Sequence, residues 1–171
     1  MQVLIVSGSR SFEGITKNGI VEVPFDREKK YAGLNALYEV IHEWRDKKPD
    51  EPHVLVSGEA KGPDEWSLFF VESRVIHAKM VGKPCLFTHM QIRCDGRTIT
   101  RPDNSVSLWS NVPVHPLNRN EEITRVAAKF KSDGHDVQFI CLVDTRSKSG
   151  GTITQFRQLK EAGIPGLLKH V

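Results

Sequence analysis

The sequence lacks a long apolar run, an even set of cysteines and a strong net charge. No stretch of its 171 residues approaches the roughly 18 consecutive apolar residues that a membrane span needs. Its three cysteines are an odd number, which argues against a disulfide framework and favours reduced thiols. A net charge of +3 is too small to require nucleic acid as a partner. We therefore expect a cytoplasmic protein with no membrane partner, and we do not expect it to bind nucleic acid.

Several motifs of well-known enzyme classes are also absent. The chain has neither the phosphate loop G-x-x-x-x-G-K-[ST] nor the dinucleotide fingerprint G-x-G-x-x-G, so it resembles neither a kinase-type NTPase nor a dinucleotide dehydrogenase. A Ser-His-Asp hydrolase of the G-x-S-x-G type is not indicated either. Cys85, His89 and Cys94 have loose spacings, and no paired C-x-x-C occurs. We expect no metal site and no cofactor.

Apolar runs and helical periods alternate along the chain. The amino terminus passes directly from apolar residues to a glycine turn, which is typical of a first strand and not of a signal peptide. The predicted strands are Val3–Val6, His53–Ser57, Pro84–Phe87, Val137–Val143 and Gly166–Lys169; the predicted helices are Arg27–Lys47, one from Pro63, Asn118–Lys131 and Gly150–Leu159. This order predicts an α/β fold, a Rossmann-like three-layer sandwich with a mostly parallel sheet of about five strands.

Two segments do not fit this alternation. Gly14 to Pro24 has no clear period and is predicted to be a loop that folds over the strand ends. Residues 85–116 are predicted to form an insertion of loop or short strands, with a hairpin turn at Asp95-Gly96. A chain of this length suits one domain, which we assign to residues 1–171.

Three predicted strands end in glycine turns that suit an anion. The turns are Gly8-Ser9-Arg10, Gly58 to Gly62, and Gly150-Gly151-Thr152. The carboxyl ends of parallel strands meet at one edge of a sheet, where ligands of open α/β folds bind. Helix N-termini and basic side chains at that edge favour negative charge. The three turns together predict a site for a nucleotide or a sugar phosphate.

Several short motifs, in their order along the chain, resemble a known family. They are GSR after the first strand, SGEAKGPDEW in the second unit, NRNEEI before a helix, and GGT and AGIP near the end. This order resembles the YspA-like branch of the SLOG superfamily. That superfamily also holds the DprA/SMF DNA-processing proteins, the LOG nucleotide phosphoribohydrolases and relatives of the nucleoside deoxyribosyltransferases. The resemblance covers Val3 to Arg10, Val54 to Phe70 and Leu117 to Pro165.

The resemblance implies a Rossmann-like domain that binds a nucleotide or a nucleotide-derived ligand. The positions that would line the pocket are Gly8, Ser9, Arg10, Gly58, Lys61, Gly62, Asp64, Arg119, Asn120, Gly150, Gly151 and Thr152. The chain departs from the family pattern at Glu59, where a second glycine is common. It departs again at Gln155, where the catalytic LOG motif has a glutamate. Glutamine cannot act as a carboxylate nucleophile or base.

Several carboxylates near the predicted strand ends are candidates for a catalytic role in cleavage of an N-glycosidic bond. Cleavage of an N-glycosidic bond passes through an oxocarbenium-like state that a carboxylate can stabilise. Glu59 is the first catalytic candidate and Asp144 the second. Alternatively, Glu59 has a structural role as a loop residue that pairs with a lysine. Asp64 fits a residue at a helix entrance, and Asn120 fits either a ligand contact or a helix cap.

These residues leave three functional hypotheses. The first is an enzyme that hydrolyses or transfers the sugar of a nucleotide, and the second is a non-catalytic receptor or sequestering protein for a nucleotide-derived signal. Binding of single-stranded DNA is a third hypothesis, disfavoured by the modest charge. A homo-oligomer is expected in each case, although no helix face identifies the interface.

Overall fold

The computed structural model describes residues 1–171 and contains nine strands and four helices. The strands are β1 (Gln2–Gly8), β2 (Ile15–Lys17), β3 (Ile20–Val23), β4 (His53–Ser57), β5 (Phe87–Ile92), β6 (Arg97–Arg101), β7 (Ser105–Leu108), β8 (Asp136–Val143) and β9 (Gly166–His170). The helices are α1 (Arg27–Asp46), α2 (Pro63–Val81), α3 (Pro116–Ser132) and α4 (Gly150–Glu161). A short 3-10 helix, Arg10–Glu13, follows β1. None of the helices combines the length and the apolar character needed to cross a membrane.

Seven strands form one sheet in the order β7-β6-β5-β4-β1-β8-β9. The five strands β5, β4, β1, β8 and β9 are parallel, and β6 and β7 extend the sheet on one side as antiparallel strands. In the central register, Val3 pairs with Val54 on one side and with Val137 on the other. The α/β Rossmann-like sandwich is confirmed. The sheet has two more strands than the roughly five predicted, because the β6–β7 hairpin adds to its edge.

The helices cover both faces of the sheet, so the central strands are apolar on both sides. Successive side chains of a strand point to opposite faces. Leu4 therefore packs in a cluster with Leu37 of α1 and Phe70 of α2. Val3 packs in a second cluster, together with Ile123 of α3. Each such buried side chain stabilises the fold by roughly 1.5 to 3 kcal/mol.

The third parallel strand, β5, lies later in the chain than predicted. It spans Phe87–Ile92 and not Pro84–Phe87. The polar residues His89 and Gln91 conceal it in the sequence, because they interrupt the apolar run expected of a central strand. The hairpin predicted at Asp95-Gly96 is present, since β5 and β6 are antiparallel neighbours with Ile92 paired to Thr98.

The segment predicted to be a loop from Gly14 to Pro24 is a two-stranded hairpin formed by β2 and β3. Its turn residues, Asn18 and Gly19, have positive φ angles of 51° and 75°. Asn-Gly is the preferred pair for a two-residue hairpin turn of this handedness. The Asn18-Gly19 pair therefore indicates a hairpin in the sequence, although the flanking residues show no clear strand period. The hairpin borders the cavities at the strand ends.

Candidate functional site

The carboxyl ends of β1, β4 and β8 are neighbours, as the parallel order of these strands requires. The turn after β4 approaches the turn after β1 at Gly62, which has a φ of +88°. A Cβ at Gly62 would lie 2.8 Å from the backbone oxygen of Ser9. Only glycine suits both this backbone angle and this spacing. The two turns are thereby held against each other at the start of α2.

Two adjoining cavities, of about 970 and 940 Å³, open at these strand ends between the turns and the β2–β3 hairpin. We call them together the strand-end site. Both cavities are bordered by Arg10, Arg119 and the hairpin residues Ile15, Lys17 and Val23. Their volume suits a drug-sized or nucleotide-sized molecule.

Most of the residues predicted for the site meet at this edge of the sheet. The larger cavity is lined by Gly8, Ser9, Arg10, Asp64, Arg119, Asn120, Gly150, Gly151 and Thr152. Glu59 and Lys61 line the smaller cavity. Three predicted residues line neither cavity: Gly58, Gly62 and Asp144.

Hydroxyl groups connect the turn after β1 to the turn after β8. The Ser9 hydroxyl accepts a hydrogen bond from the backbone N–H of Asp144 at 2.9 Å and is bonded to the Ser149 hydroxyl. The Ser147 and Ser149 hydroxyls are 2.9 Å apart. The Ser11 hydroxyl donates to Asp144 Oδ2 at 2.8 Å. We call this group of residues, completed by Arg146, the β1–β8 turn network.

Asp144 is fully buried in this network and is saturated with donors. Besides Ser11, its carboxylate accepts hydrogen bonds from the Arg146 backbone N–H at 2.9 Å and from Arg146 Nη2 at 2.9 Å. Burial raises the pKa of Asp144, but the hydrogen bonds and charge of Arg146 and the Ser11 hydroxyl outweigh it, and the net pKa is lowered. Asp144 therefore orders the turn after β8, and its carboxylate does not face the cavities.

Arg119 is the cation most deeply set in the strand-end site. It is the fourth residue of α3 and is only 7% exposed. Its guanidinium donates one long hydrogen bond, from Nη2 to Asn120 Oδ1 at 3.3 Å, and its Nε has no partner. A Cβ at Gly58 would lie 2.5 Å from Cζ of Arg119, so a larger residue there would displace the guanidinium. Arg119 is thus a buried cation with unused donors at the cavity wall.

Asp64 lies beside this cation in the first turn of α2 and is only 4% exposed. Burial raises its pKa to about 6, while the Arg119 charge and the backbone amides of Ala60 and Gly58 act in the opposite direction. A carboxyl with this pKa exchanges its proton near neutral pH. The sequence predicted Asp64 both as a pocket-lining position and as a helix-entry residue, and it gave no indication of the raised pKa.

Glu59 is engaged by the neighbouring hairpin. Its Oε1 accepts a hydrogen bond from the Cys94 backbone N–H at 2.8 Å, and its Oε2 lies 3.5 Å from Arg93 Nη2. The partners of Glu59 therefore come from the turn between β5 and β6, and no lysine pairs with it. This carboxylate fastens that turn to the turn after β4.

Two further cations at the site have no partner. The side chains of Arg10 and Lys61 are exposed and form no ion pair or hydrogen bond. The helices that begin at this edge also have free N-termini. Gly62 precedes α2 and Ser149 precedes α4, and neither supplies a side-chain cap. Uncapped N–H groups at helix N-termini favour an anion.

Gln155 and Asn120 join α3 to α4 behind the site. Gln155 is fully buried, and its amide donates to Thr124 Oγ1 at 2.8 Å and to the Asn120 backbone oxygen at 3.2 Å. It lines neither cavity. Asn120 Nδ2 approaches the Gly151 backbone oxygen at 3.4 Å. The prediction that Asn120 caps a helix is wrong, because α3 begins four residues earlier at Pro116 and is capped by His115.

No group of three or more histidine, cysteine, aspartate or glutamate side chains has a geometry that suits a metal ion. His89 is buried, with its Nε2 at 3.0 Å from the Ser57 hydroxyl and 3.1 Å from the Ser67 hydroxyl. Burial lowers its pKa to about 3, with a further contribution from Arg101. His89 is therefore a neutral core residue that joins β4, β5 and α2.

The sequence did not identify several residues that border the larger cavity. They are Lys17 and Val23 of the hairpin, His115 before α3, and Ser147 and Ser149 in the turn after β8. The Asn18-Gly19 pair was the available signal for the hairpin. Comparison of the chain with models of known protein families, with curated proteins and with solved structures finds no match.

Proposed function

We propose that the strand-end site binds a nucleotide or a nucleotide-derived phosphate ligand and that the protein acts as a receptor or sequestering protein for it. The observation that carries the proposal is Arg119, a buried guanidinium at the cavity wall whose Nε has no partner. A buried guanidinium with so few acceptors costs free energy, and a bound phosphate would supply further acceptors. Membership of the SLOG superfamily is part of this proposal.

The surroundings of Arg119 support a phosphate. Arg10 and Lys61 add two unpaired cations, and the free N-termini of α2 and α4 add backbone donors. The Thr152 hydroxyl in the first turn of α4, which is not part of the β1–β8 turn network, provides a neutral donor beside them. Such a combination of guanidinium, backbone N–H and hydroxyl groups is typical of phosphate recognition.

The hairpin supports a ligand with an apolar part in addition to its phosphate. Ile15, Val23 and Phe25 border the smaller cavity opposite the cations. Phe25 is 56% exposed, although a large aromatic side chain is normally covered. A base or a similar flat ring would lie against these side chains while the phosphate contacts Arg119.

The hydrogen bonds of Asp144 and Glu59, the two carboxylates that the sequence offers for catalysis, favour a receptor over an enzyme. Asp144 is saturated by Ser11 and Arg146, and Glu59 is bonded to Cys94 and Arg93. A carboxylate held in this way is not free to attack or to protonate a ligand. Neither residue fits the role of nucleophile or base.

Asp64 favours a second candidate function, the hydrolysis or transfer of an N-glycosidic bond. It lines the larger cavity, and its pKa of about 6 suits a group that exchanges a proton near neutral pH. In this reaction the bond from the anomeric carbon to the base nitrogen breaks, and the base leaves with the electron pair. Water or another acceptor, deprotonated by Asp64, then bonds to the anomeric carbon, and the proton taken up by Asp64 passes to the departing base.

One experiment tests both functions. The protein is incubated with a panel of nucleoside monophosphates, cyclic dinucleotides and ADP-ribose derivatives, and the mixture is chromatographed before and after heat denaturation. Intact ligand recovered on denaturation supports the receptor, and release of a base supports the enzyme. If no compound of the panel is retained or changed, the proposed nucleotide site is wrong.

The variant Arg119→Met tests whether the retained compound binds at the strand-end site. It should weaken binding of the retained compound by about 10- to 100-fold, because the charge-assisted hydrogen bonds of the guanidinium are lost. The matched control is Arg125→Met on the same helix, since Arg125 is exposed and pairs only with Glu122. Equal loss in both variants would indicate a general charge effect and would contradict the assignment.

A further inference from the structure

A separate cavity of about 360 Å³ lies at the opposite edge of the sheet, where β4 and β5 begin. Its walls come from the end of α1, the end of α2 and the segments that lead into β4 and β5. It is separated from the strand-end site by the length of β4, five residues at about 3.3 Å each. We call it the basic pocket, because its lining includes Arg45, Arg74, His77 and Lys83 but no aspartate or glutamate.

The cations of the basic pocket are largely unpaired. The side chains of Arg74 and Lys83 form no hydrogen bond and no ion pair. Arg45 bonds to the neighbouring Asp46 through Nε at 2.9 Å and Nη2 at 2.6 Å, which leaves its Nη1 free. Asp46 therefore offsets part of the charge of Arg45, whereas Arg74 and Lys83 have no carboxylate partner and produce a local potential that favours an anion. A surface of randomly placed charges would mix both signs.

His53 borders the same pocket from the interior side. It is the first residue of β4 and is only 1% exposed; neither of its ring nitrogens forms a hydrogen bond of normal geometry, although the Glu51 backbone oxygen lies near the ring. The ring lies edge-on to Trp44, with centroids 4.7 Å apart, and close to Phe87. Buried polar atoms of side chains are nearly always paired in proteins. The His53 imidazole at the wall of the basic pocket therefore has nitrogens available to a partner in the pocket.

We propose that the basic pocket binds the phosphate group of a small molecule, held by Arg74, Lys83 and the free Nη1 of Arg45, with an oxygen of that molecule bonded to the His53 ring. Pro49, Val81 and Pro84 form the apolar part of the wall, against which a sugar-sized body fits. The volume lies near the lower limit of ligand pockets, so a whole dinucleotide does not fit. The inference is independent of the ligand of the strand-end site.

The test is an amide NMR titration of the full chain with two probes, inorganic phosphate and ribose 5-phosphate, at constant ionic strength. Each probe is added to about 20 mM, because a single phosphate subsite of this kind typically binds in the millimolar range. Saturable shifts are expected at Val81, Gly82 and Lys83. Shifts at Asn120 and Gly151 report binding at the strand-end site, so the titration tests the two proposed sites independently.

Three variants locate the binding. Arg74→Gln should weaken the shifts at the basic pocket by about tenfold, since a charge-assisted contact is lost. Lys79→Gln removes an equal charge from the same helix outside the pocket and should leave the affinity unchanged. His53→Phe keeps a ring between Trp44 and Phe87 but removes both nitrogens, and it should weaken binding severalfold without loss of folded protein.

The outcomes separate the possible ligands. Tighter binding of ribose 5-phosphate than of phosphate supports a sugar phosphate, and equal binding supports a phosphate ion alone. Absence of saturable shifts at Val81 to Lys83 with both probes would overturn the proposal. Equal weakening by Lys79→Gln and Arg74→Gln would also overturn it, because the response would then be a general effect of charge.

Discussion

Asp144 and Asp64 are both buried carboxyls at the carboxyl edge of the sheet, but their surroundings differ. Asp144 follows β8 and accepts hydrogen bonds from Ser11 and from the backbone and side chain of Arg146. Asp64 begins α2 and accepts no hydrogen bond from any side chain, although Arg119 lies close by. The pKa of Asp144 is lowered by its donors against the effect of burial, whereas burial raises the pKa of Asp64 to about 6.

The same contrast extends to the two regions around these residues. In the β1–β8 turn network, hydroxyl, carboxylate and guanidinium groups satisfy one another within the fold. Arg119 lines the cavity, and its guanidinium has only the long bond to Asn120, with Nε unpaired. Polar groups that satisfy one another stabilise the protein, and polar groups left unsatisfied at a cavity wall are available to a ligand. Substitutions in the first region should therefore change stability alone, and those in the second should also change binding.

The largest effect is expected from Asp144→Ala. Loss of this carboxylate leaves the Arg146 guanidinium and the Ser11 hydroxyl without their acceptor and should lower the free energy of unfolding by about 2 to 4 kcal/mol. Urea denaturation at pH 7 measures it. Because the folded pKa is lowered, this contribution is present at neutral pH and is lost as the pH falls through that pKa. Asp50→Ala, at an exposed position, is the control and should change little.

Asp64→Asn should give a pH dependence of opposite sign. The folded pKa of about 6 exceeds the ordinary value of 3.8, so ionisation of Asp64 destabilises the fold as the pH rises through this interval. The variant lacks this ionisation and should gain roughly 2 to 3 kcal/mol relative to the natural protein between pH 4 and pH 7. Urea denaturation over this range measures it. A difference in stability that is the same at all pH values would contradict the contrast between the two carboxyls.

Gly58→Ala should displace the Arg119 guanidinium and the Asp64 carboxylate. The new Cβ would lie 2.5 Å from Arg119 Cζ and 2.7 Å from Asp64 Oδ2, so both side chains must move. We expect a loss of about 1 to 3 kcal/mol in stability together with weaker ligand binding. Gly150→Ala is the matched control for stability, since its Cβ would meet no atom within 4 Å. Unchanged stability and binding in Gly58→Ala would show that the guanidinium position is not constrained.

The smallest effect is expected from Glu59→Gln. Glutamine keeps an acceptor for the Cys94 N–H and loses only the partly exposed ion pair with Arg93, which is worth less than about 1 kcal/mol. Stability and ligand affinity should both change little, as measured by denaturation and by retention of the bound compound. If the protein cleaves a nucleotide and Glu59→Gln abolishes that cleavage, Glu59 is the catalytic carboxylate and the role assigned here to Asp64 is wrong.

Much of the architecture was predictable because it depends on local patterns. The apolar runs at Val3–Val6 and Val137–Val143 correspond to β1 and β8, and the periodic segment from Arg27 corresponds to α1. The end of the chain also follows its pattern, since α4 begins at Gly150 and β9 at Gly166. By contrast, β5 was misplaced, because a buried histidine satisfied by Ser57 and Ser67 does not look like a core residue in sequence.

The sequence by itself determined the alternation of the four helices with four of the five parallel strands, and therefore which turns meet at one edge, since parallel strands align their carboxyl ends. It could not determine which polar groups in those turns already have partners. Ser11 and Asp144 are 133 residues apart in sequence, and Glu59 and Cys94 are 35 apart. Whether such groups satisfy each other or await a ligand depends on distances of a few tenths of an ångström, which only the tertiary packing of the turns decides.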